Sequence, residues 1–182
     1  MKRILPAILV TALMILMCGC GGTAQSRTVT VPTSFAFKVK TQYNNLSVEA
    51  DVEHYSAGLS KITLLAPATL KGIAVDWSDG QTKISYMGVE VNIDFATYPE
   101  ASFIPAIIEF MDRFSTQGEI TLQNDASGNL SEYRGDTSYG EYIVKINPVT
   151  GVPESVEFAS LAMMISIYDF SRLDIATWWP HE

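Results

Sequence analysis

Cysteine is almost missing from this chain of 182 residues, which has two, and histidine also occurs only twice. The cysteines, Cys18 and Cys20, are separated by one residue, so a disulfide between them has poor geometry, and no other thiol offers a partner. The only further soft metal ligands are His54 and His181, and these are too few to complete a metal site. We therefore expect no metal and no cofactor.

Basic residues are also scarce: 12 Lys and Arg face 20 Asp and Glu, giving a net charge of −8. Anionic nucleic acid and anionic lipid headgroups are repelled by a surface of this sign. We therefore expect no nucleic-acid partner. Attachment to a membrane would have to come from an acyl chain rather than from charge.

Both cysteines end an apolar segment at the N-terminus. Lys2 and Arg3 precede the run from Ile4 to Met17, which is too short for a typical transmembrane helix and fits the apolar region of a signal peptide. The triplet Met17-Cys18-Gly19 before Cys20 resembles the bacterial lipobox, whose cysteine becomes lipidated. The alternative is an ordinary secretory signal with two incidental cysteines.

The lipobox resemblance predicts three segments. Residues 1–19 are a lipoprotein signal peptide, residues 20–30 are the lipidated Cys20 and a small, polar, flexible tether, and residues 31–182 are one domain. Stable anchoring takes more than one acyl chain, a condition that a diacylglycerol on Cys20 would meet. We expect the protein on the outer, extracytoplasmic face of the cell membrane, with the lipid as its contact to that membrane.

From Val31 onward, apolar and polar residues alternate as in half-buried strands. In Leu46 to His54, Val48, Ala50 and Val52 share one face, while acidic residues share the other. Turn signals separate the strands, the strongest being Asp79-Gly80. One segment changes period: Ile104, Ile107, Ile108 and Met111 recur at helical spacing, with Pro105 suited to a first turn. We predict about nine to eleven antiparallel strands and one inserted amphipathic helix, an α+β fold that is mainly β.

The order of three turn motifs resembles the LolA/LolB-like superfamily of lipoprotein-sorting and lipid-carrier proteins. These motifs are P-A-T-L-K-G at Pro67 to Gly72, W-S-D-G at Trp77 to Gly80, and N-P-V-T-G-V-P at Asn147 to Pro153. The resemblance implies a curved antiparallel sheet, an unclosed half-barrel, that helix covers and that binds acyl chains or lipidated proteins in its cavity. The founding carrier is soluble, whereas this chain is predicted to be anchored, as in lipid-binding lipoproteins of Gram-positive and mycobacterial envelopes and related lipoproteins with sporulation roles.

The apolar face supplies candidate contacts for a lipid or lipoprotein ligand, although each side chain can equally be core. The candidates come from the strands and the helix: Val48, Val52, Ile62, Leu64, Val75, Trp77, Ile84, Tyr86, Ile107, Met111, Val144 and Ile146.

No catalytic constellation is recognisable. His54 follows an acidic strand face, where we predict a solvated surface histidine, and His181 is terminal. No G-x-S-x-G sequence occurs. We therefore expect a lipid-binding protein that is not an enzyme. The alternative is an interaction or scaffold module of the envelope or of spore assembly with the same fold, a filled core and an exposed apolar patch, to which Trp178 and Trp179 could belong.

Overall fold

The structure is a computed structural model that describes residues 27–43, 46–97, 103–125 and 129–174. Several predicted features lie outside these ranges: the signal peptide, the lipidated Cys20, and the tail with Trp178 and Trp179. In the described part of the chain, no helix is both long enough and apolar enough to span a membrane.

The described residues form twelve strands and one α-helix, with the helix between the seventh and eighth strands. Two short 3-10 helices, Phe95–Thr97 and Ala159–Leu161, follow the seventh and the eleventh strands. The elements are β1 Arg27–Thr30, β2 Phe35–Tyr43, β3 Leu46–Ser56, β4 Leu59–Ala66, β5 Ala74–Ser78, β6 Gln81–Tyr86, β7 Val89–Ile93, α1 Phe103–Ser115, β8 Glu119–Asn124, β9 Leu130–Thr137, β10 Gly140–Ile146, β11 Pro153–Phe158 and β12 Met163–Arg172.

All strands belong to one antiparallel sheet with the order β1-β8-β9-β10-β11-β12-β2-β3-β4-β5-β6-β7. The sheet does not close, because β1 and β7 are its two edges. A mainly antiparallel open sheet with one helix is the predicted class, and it is consistent with an open half-barrel. The count of strands exceeds the prediction partly because Arg27–Thr30, expected in the tether, pairs with β8.

Alternation along the strands divides the sheet into two faces. On β3, Val48, Ala50 and Val52 are buried, whereas Glu49 and Asp51 on the other face are half-buried. The same alternation continues across the register to β2 and β4. We call the apolar side the inner face, and its burial is the main favourable term in folding.

Helix α1 covers part of the inner face. Its first turn contains Pro105, which has no backbone N–H to leave unpaired there. Its apolar side is buried: Phe103, Ile104, Ala106, Ile107, Ile108, Phe110, Met111 and Phe114. The ring of Phe110 meets Tyr142 edge-on, with centroids 5.2 Å apart, and the ring of Phe103 lies 5.6 Å from Tyr43. A helix of 13 residues is about 20 Å long, too short to cover a sheet of twelve strands.

The edge strand β1 also packs against the turn between β10 and β11. A Cβ added at Gly151 would lie 2.8 Å from Cγ1 of Val29, so the two chain segments are in close contact. Asn147 fixes this turn, since its side-chain oxygen accepts hydrogen bonds from the backbone N–H groups of Val149 (2.9 Å) and Thr150 (3.1 Å). The sheet therefore curls back on itself at this end.

Candidate functional site

The twelve residues predicted as ligand contacts do not share one environment. Nine are between 0 and 4% exposed and belong to the packed core between the sheet and the helix: Val48, Val52, Ile62, Leu64, Val75, Ile107, Met111, Val144 and Ile146. Trp77 and Ile84 are partly buried at its margin, and Tyr86 is 41% exposed. The structure thus brings most of the set together as core, and their contact with a ligand stays a prediction.

An open cleft of about 670 Å³ lies beside this core, toward the β7 edge. The β5–β6 hairpin contributes Trp77 and Thr82, and the end of β7 contributes Ile93. Phe95 of the 3-10 turn, Pro105 of the first helical turn and Tyr139 between β9 and β10 complete the apolar part of the wall. Ligand pockets commonly have this size and this mixture of apolar and polar lining.

Trp77 also has a buried polar atom. Its indole nitrogen Nε1 is buried and has no hydrogen-bond partner among the described residues. A buried donor without an acceptor costs about 1–3 kcal/mol. The open wall of the cleft is mixed, because Gln81, Asn92 and Asp94 line it beside the apolar side chains.

The inner face continues uncovered beyond the cleft. In the β6–β7 pairing, Thr82 faces Ile93, Ile84 faces Val91, and Tyr86 faces Val89. Val91 and Val89 are 53% and 64% exposed. We call Ile84, Tyr86, Val89 and Val91 the edge strip. From Thr82 to Tyr86 the strand rises about 13 Å, so the apolar edge strip continues from the cleft along β6 and β7.

His54 is fully buried, and the prediction of a solvated surface histidine is wrong. It occupies an inner-face position of β3 at 0% exposure, because the alternation that buries Val52 also buries the residue two positions later. Its Nδ1 lies 2.9 Å from Oγ of Ser60, and its Nε2 lies 2.8 Å from Oγ of Ser115. The histidine thus connects β4 with the last residue of α1.

The other hydrogen bonds of these side chains indicate which nitrogen of His54 carries the proton. Ser115 donates from Oγ to the carbonyl oxygen of Asp112 (3.2 Å), so Nε2 of His54 donates to Ser115 and Nδ1 accepts from Ser60. Asp112 in turn accepts from the backbone N–H of Gly58 (3.0 Å). These contacts fasten the C-terminal turn of α1 to the β3–β4 hairpin, and we call His54, Ser60, Asp112 and Ser115 the helix clamp.

Burial sets the charge state of the helix clamp. It lowers the pKa of His54 from 6.5 to about 4, so the imidazole is neutral at neutral pH. Burial also raises the pKa of Asp112, with Glu109 adding to the effect and the N–H of Gly58 opposing it. Oδ1 of Asp112 lies 3.8 Å from Nδ1 of His54, beyond hydrogen-bonding distance.

Serine, histidine and aspartate together also occur in nucleophilic catalysis. Here, however, Ser115 is 3% exposed and His54 is 0% exposed, so a substrate carbonyl has no route to the serine oxygen in this arrangement. Among the described residues, no group of three His, Cys, Asp or Glu side chains is placed to hold a metal ion. The helix clamp is therefore interpreted as a structural contact.

Sequence reasoning missed most of the cleft wall. Thr82, Ile93, Phe95, Pro105 and Tyr139 were not among the predicted contacts, although they line the opening with Trp77. Ile93 and Phe95 continue the alternation of β7, which was a usable signal. Tyr139 comes from a distant turn, and only the tertiary fold places it here.

No protein-family model and no curated protein matches the chain. Several solved structures are similar to it. An uncharacterized conserved protein from Thermus thermophilus has a TM-score of 0.45 and 11% identity, with 94% of both chains covered. A LolA superfamily protein from Nitrosomonas europaea has a TM-score of 0.48 and 11% identity over 80% of this chain and 89% of that one. A DUF1329 family protein from Desulfovibrio piger has a TM-score of 0.42 and 12% identity over 87% and 91%.

Proposed function

We propose that this protein is a membrane-anchored, extracytoplasmic lipoprotein that binds or carries a lipid, an acyl chain or another apolar ligand without catalysis. The curled sheet acts as an unclosed half-barrel, and the ligand lies at its uncovered side rather than beneath the helix. Lipid on Cys20 attaches the domain to the membrane, as the lipobox resemblance suggests.

The observation that carries the proposal is the continuity of the cleft with the edge strip. An extended acyl chain on this surface would bury methylene groups at about 0.8 kcal/mol each. The polar side chains that line the cleft, among them Gln81 and Asn92, would contact a polar group at the cleft end of that chain. A ligand with an apolar chain and a polar group would contact the edge strip and the cleft at the same time.

The test is to look for lipid that purifies with the protein. A chain starting at Gly21 contains all the described elements and no anchor. It would be expressed in bacteria and extracted with organic solvent, and the extract would be analysed by mass spectrometry against a heat-unfolded control. We expect stoichiometric lipid that is lost on unfolding. A stable protein without lipid would contradict the proposal.

A matched pair of variants locates the site. Val91 on the edge strip and Met164 on the opposite face of the sheet are 53% and 54% exposed. Val91→Glu places a charge on the edge strip, where the acyl chain is proposed to lie. The variant should purify without bound lipid, because burying an unpaired carboxylate is costly. Met164→Glu should retain it. Equal lipid in the two variants would place the ligand elsewhere.

A second function, an interaction module of the envelope or of spore assembly, is favoured by two observations. The core beneath the helix is filled, and the apolar side chains of the edge strip are exposed beside an unpaired edge strand. If the protein from Gly21 is lipid-free and its V91E variant is equally stable, the edge strip is better explained as a surface for a protein partner.

A further inference from the structure

A second pocket, of about 370 Å³, lies at the opposite edge of the sheet. Its walls are β1, the turn between β10 and β11, and the end of β12, which the curl of the sheet brings together. It shares no lining residue with the cleft. Whatever it binds is therefore independent of the lipid site proposed above.

The charge of this pocket is opposite to that of the chain. Arg27 and Arg172 both line it, and none of its described lining residues is acidic, although the chain has a net charge of −8. Within the described residues, Arg113 and Arg134 form salt bridges to Glu109 and Glu132, whereas neither Arg27 nor Arg172 forms one. Two arginines thus line one small space, and neither forms a salt bridge with a residue that the structure describes.

The walls beside the arginines are apolar. Val29 lies on the same strand face as Arg27, and Phe170 packs with its ring against Phe35, the partner of Arg172 in the sheet. Arginine presents a planar set of donors that matches phosphate oxygens two at a time, and it is always charged.

We propose that the Arg27–Arg172 pocket binds a phosphate group, supplied by the headgroup of an anionic phospholipid or as a free phosphate compound. The headgroup is favoured by position, a step that rests on the predicted lipidation of Cys20. Arg27 is seven residues after Cys20, so an extended linker keeps it within about 25 Å of the anchored residue. The overall negative charge of the chain repels anionic headgroups. The two arginines of this pocket would provide a local positive charge that attracts them.

The test measures binding of water-soluble probes to the full chain in a neutral detergent by isothermal titration calorimetry. The probes are inorganic phosphate, glycerophosphoglycerol as an anionic headgroup without acyl chains, and glycerophosphocholine as its zwitterionic counterpart. We expect glycerophosphoglycerol to bind more tightly than glycerophosphocholine. The double variant Arg27→Gln/Arg172→Gln should weaken that binding by about tenfold or more, since charged hydrogen bonds are lost.

Arg134→Gln is the matched control, because Arg134 is a partly exposed arginine of the same sheet that is already paired with glutamates. It should leave the affinity unchanged. Tighter binding of glycerophosphoglycerol than of inorganic phosphate identifies a lipid headgroup as the source, and the reverse order identifies a free phosphate compound. No binding of either probe, or an equal loss in Arg134→Gln, would overturn the proposal. Loss of bound lipid in the V91E variant bears only on the edge strip and the cleft beside it, so the two proposals fail separately.

Discussion

The buried position of His54 predicts how the stability of this protein depends on pH. In the folded state burial lowers the pKa of the imidazole to about 4, against 6.5 when it is exposed. Because the pKa of His54 is lower in the folded protein, the folded state binds fewer protons at this residue than the unfolded state does. Its stabilising contribution is therefore complete above pH 6.5 and is lost as the pH falls from 6.5 toward 4.

The size of the loss follows from the separation of the two pKa values. Linkage gives a decrease in the free energy of unfolding of about 2 kcal/mol at about pH 5 and about 3 kcal/mol near pH 4. Asp112 acts in the opposite direction, because burial raises its pKa and the folded state then takes up a proton more readily. The measured loss for the whole protein should therefore be smaller than the contribution of His54 alone.

A comparison with His54→Gln isolates the histidine. Urea unfolding of both proteins, followed by circular dichroism at several pH values between 7.5 and 4, gives the free energy of unfolding of each. At neutral pH the variant should be less stable, because Ser60 and Ser115 lose a well-placed partner. As the pH falls, the difference between the two proteins should shrink by about 2–3 kcal/mol. Parallel pH profiles would refute the assignment of a neutral, buried His54.

Three further predictions concern packing and surface positions. Gly135→Ala places a Cβ against the ring of Tyr142 and should lower the free energy of unfolding by about 1–3 kcal/mol, measured by urea unfolding. Met111→Ala, at 0% exposure in the helix, should cost about 2–5 kcal/mol in the same assay, and a smaller cost would mean that the helix is loosely packed. Met87→Ser, at 85% exposure, should change the stability by less than about 0.5 kcal/mol, and a larger change would show that this side chain is covered in solution.

Local patterns predicted the elements of the fold well. Alternation indicated the buried face of β3, helical spacing indicated α1, and Asp79-Gly80 indicated the β5–β6 hairpin, where both residues have positive φ angles of 49° and 82°. β1 was missed because the four residues Arg27–Thr30 are polar apart from Val29 and too short for an alternation pattern. Its pairing with β8 depends on a partner more than 80 residues further along the chain.

The candidate site was less predictable, for physical reasons that apply to any strand pattern. The alternation pattern of an apolar inner-face residue is the same whether the residue is buried in the core, as Val52 is, or exposed, as Val91 is. His54 shows the converse, since its polar type suggested solvent while its place in the alternation required burial. Whether a partner for it existed depended on Ser115, which is 61 positions away.

The extent of the helix explains why the candidate site lies where it does. Twelve strands present a much wider inner face than one helix of 13 residues can cover, and the helix clamp fastens the end of that helix to β3 and β4. Burial along the inner face accordingly falls from Val75, at 1% exposure, to the half-buried Ile84 and then to Val91 at 53%. Exposed apolar surface of this kind is costly unless something covers it at least part of the time. The proposed apolar ligand would bind at this edge without opening the core, because the surface that it needs is already uncovered in the folded protein.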